Sequence, residues 1–292
     1  QIREELNGKR TDENEIFRTI SKYKIFFNKQ NIKKIINNNL NDDSNLFFLV
    51  GFPRSGTTLL DTILRTHTQI NVLEEKPILI DLKNSFLKKN NNRLDSLLNI
   101  SENEINIIRE NYFTRVSKNF TSRKKIIIDK LPLSIIELGF IKCIFPKSNI
   151  ILALRHPCDT VFSCFSSSFT INEAMINFLK WDNTLKLYNE VFELYEFYEK
   201  ELELNCFKIK YEDLVYDFKN QTQLLLNFLN LKFQKKMTDF HLTALKRDKI
   251  STPSYRQVIN PLYTTSIGRW KKYKNILNPE RKLSKWLKKF NY

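Results

Sequence analysis

The stretch Asn45–Leu60, NLFFLVGFPRSGTTLL, decides the fold. Its apolar run up to Gly51 has the length and composition of a buried strand. A tight turn of small residues follows, and a helix begins near Thr57. From Gly51 to Gly56 the turn reads G-x-x-x-x-G, as a Walker A loop does, but Thr57 stands where nucleoside-triphosphate binders carry lysine. Such a loop offers backbone N–H groups and a helix N-terminus to a phosphate. It lacks the lysine that reaches a γ-phosphate, which points to a nucleotide without a triphosphate. Gly51 and Gly56 permit close approach, Thr57 and Thr58 add hydroxyls at the helix start, and Arg54 presents a planar fork to an oxyanion.

Outward from this stretch, short apolar runs alternate with longer amphipathic segments. Strands are expected at Asn45–Val50, Ile70–Leu73, Lys125–Asp129, Asn149–Leu154 and Cys206–Lys210. Helices are expected at Thr57–Thr66, 75–88, 102–120, Leu133–Phe145, Cys158–Ser168, about 173–203 and Arg281–Phe290, with an Asn-rich polar stretch at 89–101. Residues 1–44 read as one or two polar helices closed by NNNLNDDSN, ahead of a domain covering 45–292. The βαβα alternation predicts an α/β fold of three layers, P-loop-like, with a central parallel sheet flanked by helices. Ligands then belong at the carboxyl ends of the strands.

A chain of 292 residues suffices for one large α/β domain. Hydrophobic content of 41% and charged content of 27% are those of an ordinary globular protein. No apolar run approaches the roughly 18 residues of a membrane span. The polar start, carrying acids as well as bases, does not read as a signal peptide. It also lacks Met, so residues upstream are to be expected. The net charge of +16 fits an anionic ligand or partner. It fits better a Lys-, Asn- and Ile-rich bias over solvated faces, because few lysines fall in blocks of five or more. Cys143, Cys158, Cys164 and Cys206 show no CxxC spacing, so neither zinc nor a disulfide framework is expected, and a reducing compartment, the cytoplasm, fits best.

Three further constellations carry chemistry. Arg155-His156-Pro157 ends the fourth strand, with Ser163 two helical turns onward, so that a guanidinium and a hydroxyl can grip a second phosphate. His156 reads as a capping or packing residue. Glu74 and Glu75 close the second strand; either carboxylate can take a proton from an acceptor, and either can equally be an acid at a helix N-terminus. Lys130, in DKLP at the end of the third strand, can neutralise charge on a transferred group. The last is Ser254-Tyr255-Arg256-Gln257-Val258 through Gly268-Arg269-Trp270, which reads either as a proline-stiffened loop over a nucleotide or as a surface segment pinned by Trp270 and Tyr263.

Together these motifs resemble the sulfotransferases that use 3′-phosphoadenosine 5′-phosphosulfate (PAPS). Phe52–Leu60 resembles their 5′-phosphosulfate loop, which implies Arg54, Ser55, Gly56, Thr57 and Thr58 as donor contacts. Arg155–Ser163 resembles their 3′-phosphate element. The likeness runs from about residue 45 to 275. Within the superfamily it is closer to bacterial tetratricopeptide-type and protein-tyrosine sulfotransferases. The interval from Arg54 to Glu75 is the one that separates loop arginine from catalytic glutamate in the tyrosyl family, which favours Glu75 over Glu74 as the base. The same resemblance implies Lys130 and Ser254 as stabilisers of transferring charge, and Ser254, Gln257, Tyr211 and Arg269 as cofactor contacts. Lys130 also stands where cytosolic sulfotransferases carry a histidine base. The implied reaction is in-line sulfuryl transfer to a hydroxyl or amine, with 3′,5′-adenosine bisphosphate (PAP) as product and no metal.

The chain departs from the tyrosyl pattern in two respects. It lacks cysteines near Val72 and Ile128, and Lys76 is followed by Pro77 and later Asp81 rather than by a basic run. These departures disfavour protein tyrosine and leave carbohydrate, lipid, small metabolite or peptide as acceptor, with no nucleic-acid partner. The oligomeric state is left open. The rival readings are a P-loop nucleotide kinase, against which the absent lysine counts, and a non-enzymatic binder of anionic ligands, supported by charge alone.

Overall fold

Five parallel strands pair in the order β2-β3-β1-β4-β5. They are β1 (Leu46–Gly51), β2 (Ile70–Glu74), β3 (Ile126–Lys130), β4 (Asn149–Leu154) and β5 (Cys206–Lys210). The computed structural model describes residues 11–36, 45–122, 124–245 and 258–292. β4 and β5 coincide with the expected strands, and the other three shift by no more than one residue at either end.

Every residue of β1 is buried. Its side chains divide with the period of two that a pleated strand imposes. Leu46, Phe48 and Val50 enter one core, shared with Tyr112, Phe140 and Tyr188. Phe47 and Leu49 enter a second, shared with Leu59, Leu60 and Ile63 of the helix Thr57–Arg65 and with Leu225 and Leu226 of Phe218–Phe228. Helices thus cover both faces of an all-parallel sheet, giving the three layers the sequence predicts.

Where helices differ from expectation, proline and backbone geometry supply the reason. Residues 133–145 form a 3₁₀ turn, Pro132–Ile135, and a separate helix, Leu138–Ile144, because Pro132 starts its own turn. The long helix begins at Trp181, after a 3₁₀ turn at Met175–Leu179, since Lys180 is extended. The helix after β2 begins at Ile78, leaving Glu75, with φ of +48°, in the connection. Glu102–Ser117 starts where Ser101 and Glu104 form a reciprocal capping box. The N-terminal helices Glu15–Phe26 and Lys29–Ile36 read as polar, yet Ile20, Tyr23, Phe27, Ile32 and Ile35 are buried in the same core as β1. Phe27 packs so tightly on Gly139 that a Cβ there would lie 2.3 Å from its ring.

The topology positions the site. The chain leaves the central β1, runs out to β2, returns through β3, and crosses to β4 on the other side. The loop after β1 therefore opens at the point where the winding reverses, which is where open α/β sheets bind ligands.

Candidate active site

The loop after β1 is held from three directions. Phe52 is fully buried among Phe178, Tyr188 and Phe192, its ring centroid 5.0 Å from that of Tyr188. Cys164 Sγ donates to the Pro53 carbonyl at 3.2 Å. Gly56 caps the helix Thr57–Arg65 with φ of +98°, and a Cβ on it would lie 3.0 Å from the Tyr211 ring. Only glycine suits both the conformation and the spacing. The N-terminus of this helix opens at the loop, and Ser55, Thr57 and Thr58 are buried. Arg54 also has positive φ, +69°; strain of this kind is stored at functional sites.

Each strand end adds one element of chemistry. On the β4 side, Arg155 Nη1 donates to the Arg54 carbonyl at 3.1 Å and Nη2 to the Ser266 carbonyl at 2.5 Å. Its guanidinium lies 5.2 Å from the centre of the Tyr211 ring, which follows β5. Ser163 Oγ accepts from Arg54 Nε at 3.0 Å. Burial chiefly lowers the pKa of Arg54, and the charges of Arg155 and Arg269 lower it further. Burial likewise raises the Tyr211 phenol and keeps it protonated. A cleft lies between Arg54, Arg155, Tyr211 and Ser266, with Leu59, Phe240, Val258 and Tyr263 also on its walls.

On the β3 side, Lys130 is fully buried and lies beside Leu49 of β1 and Glu74 of β2 in register. Its Nζ donates to Glu75 Oε1 at 2.7 Å, and carboxylate oxygens of Glu74 and Asp61 lie at 3.6 and 3.8 Å. Asp61 also pairs with Arg65. Glu75 is held through its backbone, its N–H donating to the Lys130 carbonyl at 2.7 Å, and its side chain is about a third exposed while that of Glu74 is half as exposed. Among the described residues, no group of three or more His, Cys, Asp or Glu side chains is arranged to hold a metal ion.

The structure thus brings together Arg54, Ser55, Gly56, Thr57, Thr58, Arg155, Ser163, Tyr211 and Arg269 around the loop, with Lys130 and Glu75 on its other flank. Ser254 and Gln257, with Tyr255 and Arg256, lie outside the described residues. His156 caps and packs as expected: Nδ1 accepts from Cys158 N–H at 3.3 Å, and the ring stacks on Trp270 at 5.4 Å. Three participants escape a reading of the sequence. Asp61 holds Lys130, Asp159 accepts from the backbone N–H groups of Gly268 and Trp270, and the Ser266 carbonyl receives Arg155. The available signal was a lone acid inside each of two short helices otherwise free of acids, TTLLDTILR and PCDTVFSCF.

A sequence model described as Sulfotransferase family matches residues 47–235, which run from β1 through all five strands to just past the helix Phe218–Phe228. The chain belongs to the sulfotransferase family. Curated relatives include protein-tyrosine sulfotransferase A of Caenorhabditis elegans, 25% identical over 79% of this chain and 62% of its own length. Another is protein-tyrosine sulfotransferase 1 of Danio rerio, 24% identical over 79% of this chain and 66% of its length. An uncharacterized protein of Aquifex aeolicus is 25% identical over 80% of this chain but only 31% of its own length. This sulfotransferase-family chain thus spans between about a third and two thirds of these relatives. In fold it is similar to the sulfotransferase domain from the curacin biosynthetic pathway, with TM-score 0.55 at 18% identity over 84% of this chain and 98% of that one. The sulfotransferase domain of the Synechococcus PCC 7002 olefin synthase gives TM-score 0.54 at 16% identity over 80% and 90%.

Proposed function

We propose that this family member transfers a sulfuryl group from PAPS to an acceptor hydroxyl or amine by in-line displacement, with Glu75 as the base. The observation that carries the reading is the division of the sheet edge. Arginines and hydroxyls gather around the loop on one side, and a carboxylate bonded to a buried lysine stands on the other. The residues present fit the donor nucleotide. Ser55 Oγ and Arg155 Nε are buried with no hydrogen-bond partner among the described residues, and buried polar atoms of this kind call for a ligand or water. Arg54, Ser55, Gly56, Thr57 and Thr58 would hold the 5′-phosphosulfate, and Arg155 and Ser163 the 3′-phosphate. The apolar walls formed by Leu59, Phe240 and Val258 suit a flat base. Tyr211 and Arg269, together with Ser254 and Gln257 beyond the described residues, complete the proposed contacts.

When bound, PAPS supplies an activated sulfuryl group. The chain's own residues then orient and charge-balance the site, since transfers of this class depend on positioning and electrostatics. Glu75 takes the acceptor proton at Oε1 or Oε2, and its bond to Lys130 orients it. Lys130, Arg54 and Ser254 stabilise charge on the transferring group. The curated relatives named as protein-tyrosine sulfotransferases support a hydroxyl acceptor; the acceptor class itself is left to an acceptor screen with labelled donor.

The kinase alternative predicts stabilisation by ATP with magnesium. Thermal shift separates the two, because a ligand at a hundredfold excess over Kd adds about 2.7 kcal/mol to stability. For a chain of this size that corresponds to a rise in Tm of roughly 4–5 °C. The proposed function predicts this rise with PAP and none with ATP; a rise with ATP alone would overturn it.

A further inference from the structure

Asp159 poses a physical problem. Its carboxylate is 1% exposed and lies in the first turn of the helix Pro157–Phe165, the same corner that presents Arg155 to the proposed nucleotide. A negative charge beside an anion site opposes binding unless it performs another task. An acid in the first turn commonly offsets its own helix dipole. Here, though, the oxygens reach another segment: Oδ2 accepts from Gly268 N–H at 2.6 Å and Oδ1 from Trp270 N–H at 3.1 Å. Between those two amides stands Arg269, whose side chain is exposed and whose charge acts on Arg54.

The neighbours of Asp159 grip the same segment. Arg155 donates to the Ser266 carbonyl, and His156 stacks on Trp270, which is itself buried. Gly268, at φ of +74°, makes the turn that lets both amides face one carboxylate. Residues 266–270 are therefore seated on the Arg155–Asp159 corner by three side chains, and Arg269, between the two clamped amides, is left exposed.

We infer that Asp159 is a positioning residue for nucleotide binding: it clamps the Gly268–Trp270 turn so that Arg269 is held against the phosphate loop beside Arg54. The inference rests on the proposed nucleotide site. The bidentate bond to two amides offsets the unfavourable charge, because hydrogen bonds to a buried carboxylate are strong. A charge-only role predicts the opposite sign, with neutralisation of Asp159 tightening anion binding.

The test is a double-mutant cycle on PAP affinity, measured by calorimetry with the whole chain. Asp159→Asn keeps one acceptor and loses the other; it and Arg269→Ala are each expected to weaken binding on the order of tenfold. The double variant is expected to bind no more weakly than the weaker single one, because both remove the same contact. Independent, multiplying losses, or tighter binding by Asp159→Asn, would overturn the inference while leaving the function standing. Failure of the unsubstituted chain to bind PAP would overturn the function, and this inference with it. If Asp159→Asn does not fold, amide hydrogen exchange of the unsubstituted chain decides: PAP is expected to slow Gly268 and Trp270 by about tenfold or more, and unchanged exchange would contradict the clamp.

Discussion

On the β4–β5 side of the loop, Arg155 is held by two carbonyl oxygens and lies against the Tyr211 ring, whereas on the β2–β3 side Lys130 is enclosed by the carboxylates of Asp61, Glu74 and Glu75. The two cations sit at equivalent places, at or just past the end of neighbouring strands on either side of β1, but do different work. An arginine bonded to neutral carbonyls keeps its full charge for a ligand, and its buried Nε still lacks a partner. A lysine set among three acids is bonded to one of them, Glu75, and fixes its place. With Arg65 counted, two cations face three carboxylates there. The first side suits a permanently charged nucleotide; the second suits a carboxylate held in position to move a proton.

Glu75→Gln should break the comparison most sharply. Turnover is expected to fall by about 10²–10⁴, the usual share of a general base, and a steady-state assay with any accepted substrate checks it. Arg155→Ala acts on the other side. It removes a charged donor and frees the Ser266 turn, so PAP binding should weaken by roughly 10- to 100-fold, read by calorimetry.

Smaller effects sharpen the contrast. Asp129, next to Lys130 on β3 but buried on the opposite face against Tyr112, is pushed up to about 7, chiefly by burial; the Tyr112 bond and Lys130 pull the other way. Between its ordinary value and about 7 the folded chain holds a proton that the unfolded chain has lost. Stability therefore falls as pH rises through that window, by up to about 1.4 kcal/mol per pH unit. Asp129→Asn, which keeps an acceptor for the Tyr112 hydroxyl, should flatten that slope in urea unfolding measured from pH 4 to 8. Gly56→Ala should destabilise the chain by roughly 1 kcal/mol, since alanine at positive φ is strained. It should also weaken PAP binding through Tyr211, with Glu75 and Lys130 untouched; unfolding and binding titrations of one sample read both.

The sequence made the arginine side more legible than the lysine side. Gly51–Thr58, Arg155 and Ser163 act near their own strand or helix ends, where local spacing dictates geometry. β4 and β5 were readable for the same reason: short apolar runs between clear breaks. Asp61, Asp159 and Ser266 work through tertiary contacts; Asp159, for instance, meets a residue 109 positions away. No periodicity records such a meeting. The helix boundaries at Pro132 and Lys180 depended on backbone geometry that amphipathic spacing does not encode. The acidic surroundings of Lys130 likewise appear only once β2, β3 and the helix Thr57–Arg65 are folded together.

The division of labour is tested most directly by titrating PAP into three forms of the chain under one condition: unsubstituted, Glu75→Gln and Arg155→Ala. The account predicts a Kd for Glu75→Gln within about twofold of the unsubstituted chain, and one at least tenfold weaker for Arg155→Ala. Equal losses in the two variants, or tight binding by Arg155→Ala, would contradict it.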